Sequence, residues 1–173
     1  MWTRIKKNLN ELTPAQVLVG YYGLAIIVSV LLLSIPAVHQ PGVEVPFIDR
    51  LFTAVSAISV TGLTVINISE TYSVFGIFIL MFVLQLGGIG VMTLGTFFWL
   101  ILGRKIGLKS RKLIMADQNQ PSLAGLVGLT REILKLILLI ELIGAMILGL
   151  YFLNYYSSWQ EAFYHGLFAA ISA

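Results

Sequence analysis

Three long stretches of this chain carry almost no charged side chains, and they constrain the fold more than any other feature. They run from Leu12 to Val43, from Thr71 to Gly103 and from Leu136 to Gln160, where Glu141 is the single exception. The hydrocarbon core of a bilayer is about 30 Å thick and requires roughly 20 helical residues, so each stretch has room for one span. With 58% hydrophobic residues and a mean hydropathy of +0.91, the sequence predicts an all-α polytopic membrane protein.

The basic residues indicate how these spans are oriented. Of the 11 lysines and arginines, Arg50 alone lies between the first and second spans, and the others precede the first span, follow the second or open the third. An excess of Lys and Arg marks the cytoplasmic side of a membrane. The N-terminus and residues 103–130 are therefore predicted to be cytoplasmic, with residues 37–70 and 154–173 outside. The positive charge is expected to face membrane lipid and not nucleic acid.

The sequence offers few groups that could carry out chemistry. It has no cysteine, which excludes disulfides and thiolate metal sites, and the distant His39 and His165 have no ligand cluster around them. It also lacks a Ser/His/Asp grouping, paired carboxylates and a phosphate loop. We therefore predict neither an enzyme nor a bound cofactor. The first apolar run, Val17 to Ile35, is longer than the roughly 7–15 residues of a signal-peptide core, which favours a retained span.

A shorter apolar segment, Phe47 to Ser59, lies between the first two spans. It is too short to cross the bilayer, and Val60-Thr61-Gly62-Leu63-Thr64 follows it with β-branched and glycine residues that continue a helix poorly. This pattern predicts a helix that enters the membrane and returns as extended backbone. Irregular backbone at membrane depth is tolerated only where protein buries it or where it lines an aqueous path. The alternative is an ordinary buried turn between two helices.

The short helix is repeated at the end of the chain. Phe47–Ala57 aligns with Phe163–Ala173 at a constant offset of 116 with six identities, which predicts a repeated architecture. By that offset, the counterpart of Gly62 would fall five residues beyond Ala173. The predicted segments are a cytoplasmic N-terminus at 1–13, a first repeat at 14–102 (span 15–35, pore helix 47–59, filter 60–64, span 73–102), a cytoplasmic loop at 103–130, and an incomplete second repeat at 131–173 (span 131–153, pore helix 160–173).

The end of such a short helix favours a cation. The helix macrodipole places roughly half a negative charge at the C-terminus, and backbone carbonyls beyond it can replace the hydration shell of an ion. Gly62 suits a backbone conformation that other residues resist, and Val60 and Thr61 are expected to be extended beside it.

These motifs resemble the Ktr/Trk/HKT superfamily of potassium transporters, most closely the N-terminal portion of the bacterial Ktr membrane subunit. The resemblance rests on Ser56-Ala-Ile-Ser-Val-Thr-Gly-Leu-Thr64 between two spans and on Gln85-Leu-Gly-Gly-Ile-Gly90 in the second, and it covers essentially the whole chain. Members carry four non-identical span–pore helix–span repeats of potassium-channel-like type around one pore. The resemblance makes Gly62 the filter glycine of the first repeat, flanked by Val60, Thr61 and Leu63.

The resemblance also implies a function and partners. It implies passive, channel-like potassium uptake across the bacterial plasma membrane, with the ion held by the carbonyls of Val60, Thr61 and Gly62 and with sodium as a candidate coupling or activating ion. It further implies a homodimer of the complete subunit and a cytoplasmic nucleotide-binding regulatory ring. A chain with one filter segment leaves two other hypotheses open: a non-conducting fragment or assembly module, and a small subunit that tetramerises.

Two acidic residues allow more than one interpretation. Asp49 is expected to cap the N-terminus of the first pore helix, although together with Glu44 and Glu70 it could also concentrate cations at the mouth. Glu141 lies inside a span, where an ionisable residue is a functional hypothesis by default. Its position about two turns beyond Lys135 also allows it to face protein or water near the cytoplasmic side.

Overall fold

The computed structural model describes residues 13–90, 93–94, 108–117 and 125–173. Within these ranges the chain is helical and has no β-strand beyond an isolated bridge between His39 and Tyr72. Among the described residues, two helices contain apolar windows long enough to cross a membrane, Gln16–Leu33 and Gly128–Phe152. The elements in chain order are α1 (Pro14–Leu33), a 3-10 turn (Pro36–Val38), α2 (Phe47–Ile58), α3 (Ile68–Thr71), α4 (Val74–Gly88), α5 (Leu108–Asp117), α6 (Leu126–Phe152) and α7 (Trp159–Ser172).

Helix α1 begins where the sequence supplies a complete N-terminal cap. Thr13 Oγ1 accepts a hydrogen bond from the Gln16 backbone N–H at 3.3 Å, and the Gln16 side chain accepts one from the Thr13 N–H at 3.0 Å. Pro14 suits the first turn, since a backbone N–H there would have no partner within the helix. Pro36 follows the other end and begins the 3-10 turn, which turns the chain out of the span. Residues 1–12 of the predicted N-terminal segment lie outside the described residues.

Helix α4 is interrupted within the single span that the sequence predicts at residues 73–102. It begins after Ser73, whose Oγ accepts a hydrogen bond from the Gly76 N–H at 3.1 Å, and it ends at Gly88. Gly90 then adopts a φ of 92°, a left-handed conformation that does not continue a helix. Helical geometry returns at residues 93–94, and residues 91–92 and 95–102 lie outside the described part of the chain. The structure therefore has an interruption at the glycine-rich centre of this predicted span.

The connection at residues 103–130 is not only a loop. It contains α5, and α6 begins at Leu126, five residues before the predicted start at 131. Leu113 and Ile114 of α5 are buried, and this helix packs against α1 and α6. Apolar packing therefore extends the helical structure beyond the predicted spans. Residues 103–107 and 118–124 of the predicted loop lie outside the described residues.

The core lies where α1, α2 and α4 meet. Its deeply buried side chains include Leu33, Ala54, Ile58, Leu80 and Val83. Leu167 and Phe168 of α7 pack against the same cluster, so the two short helices share one core. By contrast, α1 and α6 expose large apolar side chains, among them Val19 (73% exposed) and Ile147 (62%). Exposed apolar faces of this extent fit contact with lipid.

Two loops at one end of the core are joined by backbone hydrogen bonds. The Gln40 N–H donates to Thr71 O and the Ser73 N–H donates to Val38 O, both at 2.9 Å. His39 lies at this junction with its ring stacked on Tyr72, centroids 5.6 Å apart, and among the described residues its buried Nε2 has no partner. Burial, assisted by the nearby charge of Arg50, lowers the pKa of His39.

Acidification should therefore destabilise this junction. A histidine whose folded-state pKa is lowered binds fewer protons in the folded than in the unfolded state, so its contribution to stability is complete above about pH 6.5 and is lost as the pH falls further. We expect the melting temperature of the purified protein to fall more steeply between about pH 7 and pH 5 in the wild type than in His39→Gln. Equal slopes in the two proteins would contradict this prediction.

Candidate functional site

The short helix α2 is positioned by one buried face of small and hydroxyl side chains. Thr53, Ala54, Ser56 and Ala57 are all buried, and this face packs against α1 and α4. The N-cap of α2 is Pro46, so the prediction of Asp49 as the cap is wrong. The Asp49 carboxylate lies within the first turn instead, where it still interacts favourably with the helix dipole.

The chain folds back on α2 immediately after its C-terminus. The Thr61 N–H donates to Ser56 O at 2.9 Å, and the Ser59 N–H donates to Val55 O at 2.9 Å. The Ser56 hydroxyl also donates to the carbonyl of Leu63 at 2.7 Å. The last carbonyls of a helix lack helical partners, and here the following segment supplies them. Ser56 therefore fastens the middle and the far end of the segment 59–63 to the helix.

The backbone of residues 60–62 is not the extended strand that the sequence predicts. Gly62 has a φ of 72°, which agrees with the expectation for a glycine at this position, but Val60 also has a positive φ, 55°. Left-handed geometry costs an L-residue about 1–2 kcal/mol and is rare for a β-branched side chain. The expectation of extended backbone at Val60 is therefore wrong. Strain of this kind persists only where surrounding contacts impose it, and it is concentrated at functional sites.

The consecutive carbonyl groups of Val60, Thr61 and Gly62 are left without donors. Among the described residues, no hydrogen-bond donor reaches any of these three oxygens, whereas the Leu63 carbonyl is occupied by Ser56. All three residues are exposed. Unpaired carbonyls in an otherwise apolar protein require water or a cation as a partner. Leu63, also predicted as a filter residue, differs from the others because its carbonyl is turned back towards α2.

A cavity of about 190 Å³ adjoins this segment and connects it to the second short helix. Its walls come from α2, the segment after it, α3, α4 and α7. The residues contributed are Thr53, Ser56, Ala57, Gly62, Leu63, Thr64, Ile68, Leu80, Leu84, Phe168 and Ser172. The two copies of the repeated sequence therefore face a common space.

Helix α7, the second copy, is fastened to α6 by a close backbone crossing. A Cβ on Gly166 would lie only 2.6 Å from Gly149 N, so the two helices approach at a pair of glycines. Ser158 caps α7 by accepting a hydrogen bond from the Glu161 N–H at 3.4 Å. His165 stacks on Tyr156 at 4.5 Å, whereas His39 stacks on Tyr72. The two histidines that the sequence singled out thus contact different tyrosines.

The sequence of residues 16–173 matches the family model TrkH, a cation transport protein. The chain belongs to the TrkH family. It is 60% identical over 173 residues to the Ktr system potassium uptake protein D of Bacillus subtilis, covering all of this chain and 38% of that protein. It is 41% identical over 162 residues to the Ktr system potassium uptake protein B of the same bacterium, covering 93% of this chain and 36% of that protein.

A third relative is the potassium/sodium uptake protein NtpJ of Enterococcus hirae, 32% identical over 172 residues, which cover 99% of this chain and 38% of that protein. The chain thus spans a little over a third of the length of these curated relatives. The family resemblance found in the sequence is confirmed, and TrkH is a family of cation transporters and not of enzymes.

In this TrkH-family chain, the glycine-rich part of α4 supports the C-terminus of α2. The Cβ of an alanine at position 87 would overlap the carbonyl oxygen of Ala57 and would lie 2.8 Å from that of Ile58. Gly88, the next residue, has open space around the corresponding position. The Gln85–Gly90 motif therefore has one glycine that the packing requires and a neighbour that it does not.

Gly87→Ala should consequently destabilise the protein, and Gly88→Ala is its matched control. Overpacking against backbone atoms costs about 1–3 kcal/mol, whereas alanine at an open helical position is favoured over glycine by up to about 1 kcal/mol. We expect thermal unfolding in detergent to give a clearly lower midpoint for Gly87→Ala and an unchanged or higher one for Gly88→Ala. Equal midpoints would show that the close approach is not needed.

Two contacts in this region were not predicted from the sequence. The bond from Ser56 to the Leu63 carbonyl was not predicted, although a hydroxyl near the end of a short apolar helix could have suggested a backbone partner. The Gln85 side chain also reaches Glu141 across the α4–α6 contact. Glu141 lies near the middle of the apolar window Gly128–Phe152.

Proposed function

We propose that this chain builds the first part of the ion pathway of a bacterial potassium uptake transporter. The observation that carries the proposal is the row of three carbonyls at Val60, Thr61 and Gly62, beyond the C-terminus of α2, which no donor in the described part of the chain reaches. Membership of a cation transport family and the names of the relatives support potassium as the substrate. These carbonyls would replace water around the dehydrated ion.

The length of α2 fits an electrostatic role. Its 12 residues measure about 18 Å, too little to cross a core of about 30 Å. We propose that α2 is a re-entrant pore helix between the spans containing α1 and α4, and that α6 and α7 begin the next repeat. The partial negative charge at the C-terminus of α2 would then lower the energy of a cation near residues 60–62. Translocation would be passive, driven by the membrane potential and gated from the cytoplasm.

The orientation and the partners are part of the same proposal. The distribution of Lys and Arg supports a multi-pass protein with a cytoplasmic N-terminus. The resemblance supports a homodimer and a nucleotide-binding regulatory ring on the cytoplasmic side. Sodium as a coupling or activating ion is supported by a relative named for both potassium and sodium.

Gly62→Asp should impair potassium uptake by the complete transporter, and Gly42→Asp is the matched control. Gly42 also has a positive φ, 81°, and open space, but it lies in the loop before α2. Asp tolerates left-handed geometry better than most residues, so both variants should fold. Only the carboxylate at position 62 would lie among the proposed ion ligands.

We expect Gly62→Asp to raise the KM for potassium about tenfold or more, or to lower the preference for potassium over sodium by a similar factor, equivalent to about 1.4 kcal/mol. Gly42→Asp should leave both quantities unchanged. The assay is uptake by cells that lack other potassium uptake systems. Wild-type uptake by a folded Gly62→Asp protein would overturn the filter assignment.

A second candidate function is that of a non-conducting assembly module. It is favoured because the described residues contain one filter segment of the predicted kind, residues 60–64, and one segment does not encircle an ion. Expression of the 173 residues alone, beside the complete coding frame that contains them, separates the two. We expect the complete frame alone to restore growth at low potassium. Growth with the 173 residues by themselves would contradict the module and favour a self-assembling channel.

A further inference from the structure

Gln85 and Glu141 form a polar contact between two apolar helices. Gln85 Nε2 of α4 donates to Glu141 Oε2 of α6 at 2.6 Å, and both side chains are half-buried. Gln85 lies about 16 Å along α4 from Val74, and Glu141 lies about 16 Å back along α6 from Phe152. A hydrogen bond to an ionised acceptor is roughly twice as strong as one between neutral groups. Polar groups within apolar helices are expensive, so this contact needs an explanation.

The contact lies next to the interruption of α4. The Ile89 N–H donates to Gln85 O at 3.1 Å, which closes the last turn of the helix before Gly90 leaves helical geometry. Ile89 and Leu94, on either side of the interruption, are buried in a cluster with Leu134 of α6. A polar bond and an apolar cluster therefore both fix the interrupted part of α4 to α6.

The same turn of α4 supports α2. Gly87 lies two residues from Gln85, and its backbone contacts the carbonyls of Ala57 and Ile58. A displacement of α4 relative to α6 would thus be transmitted to the C-terminus of α2. The segment 59–63 would be displaced too, because Ser56 hydrogen-bonds it to that helix. Close-packed contacts transmit such displacements because they leave little free volume.

We propose that Gln85 and Glu141 are a positioning pair for the filter. Their hydrogen bond fixes α4 against α6, so that Gly87 supports the C-terminus of α2 and the carbonyls of residues 60–62 keep their spacing. The inference rests on the proposed ion pathway and adds to it two residues outside the filter. Neither residue needs to touch the ion, since what matters is the bond between them.

The test compares single changes with an exchange of the two side chains in the complete coding frame. Gln85→Leu and Glu141→Leu each remove the bond, whereas the double variant Gln85→Glu with Glu141→Gln keeps an amide and a carboxylate at the same contact. Glu141→Gln retains a side chain that can bond to Gln85 without a charge. Glu132→Gln is the matched control, because Glu132 is an exposed acid of the same helix, paired with Lys135 at 2.9 Å. The readouts are KM and maximal rate of potassium uptake, and the ratio of potassium to sodium uptake.

We expect each leucine variant to change the KM or the ion ratio at least threefold, as residues that couple a site from a distance do. In Glu141→Gln and in the double variant with exchanged side chains, the KM and the ion ratio should lie within about twofold of the wild-type values. In Glu132→Gln both quantities should equal those of the wild type. Leucine variants with the wild-type KM and ion ratio would overturn the proposal. The proposal would also be overturned if Glu141→Gln and the double variant both departed from the wild-type KM or ion ratio as the leucine variants do. That result would show that the carboxylate at position 141 acts by itself.

A stability measurement keeps the pair testable if a variant misfolds or if transport fails. A double-mutant cycle on the melting temperature, with the two leucine variants and their combination, reports the coupling between the side chains without reference to any ion. Additive effects of the two leucine substitutions on the melting temperature would overturn the proposed pair. A folded wild-type protein that takes up no potassium, together with clear coupling in this cycle, would reject the proposed function and retain the contact.

Discussion

The C-terminus of α2 is the point on which the rest of the structure depends. A short helix that ends within an apolar protein leaves its last carbonyls and the following peptide groups in need of partners. The chain meets this need locally, because the N–H groups of residues 59–61 and the Ser56 hydroxyl bond back onto the same few residues. What remains are the carbonyls of residues 60–62, which no donor of the described residues reaches. Three consecutive acceptors beyond the negative end of a helix are suited to a cation.

Close backbone contacts then hold that helix end in place. Within a bilayer the hydrophobic effect does not drive helices together, so association depends on packing and hydrogen bonds, and small residues at the contacts allow both. Gly76 lies against the carbonyl of Val38, Gly87 against those of Ala57 and Ile58, and Gly166 against Gly149. Each contact joins two elements at a position where a methyl group would not fit. The polar bond between Gln85 and Glu141 supplies the other kind of contact, also between helices.

Patterns of short range in the sequence predicted a large part of this arrangement. The apolar stretches, the short helix at Phe47 and the glycine at position 62 depend on local propensity and on membrane thickness, and the structure has a helix or a positive φ at each. The features that the sequence did not predict depend on contacts between residues of different elements or segments. The left-handed φ of Val60 is imposed by bonds back to α2, and the contact of Gln85 with Glu141 links residues 56 positions apart. Neither the propensity of a single residue nor hydrophobic periodicity contains that information.

The two copies of the repeated sequence differ where they meet their preceding helices, and this difference shapes the candidate pathway. At the offset of 116, Gly166 of α7 corresponds to Arg50 of α2, and Gly149 of α6 corresponds to Leu33 of α1. The glycine pair allows α7 to touch the backbone of α6, whereas arginine and leucine do not permit the same approach between α2 and α1. Both short helices nevertheless contact α4. An element shared by two unequal neighbours cannot pack symmetrically against them. Helix α4 therefore meets its two short neighbours at different residues, with Gly87 against the end of α2 and Phe78 beside Tyr164 of α7.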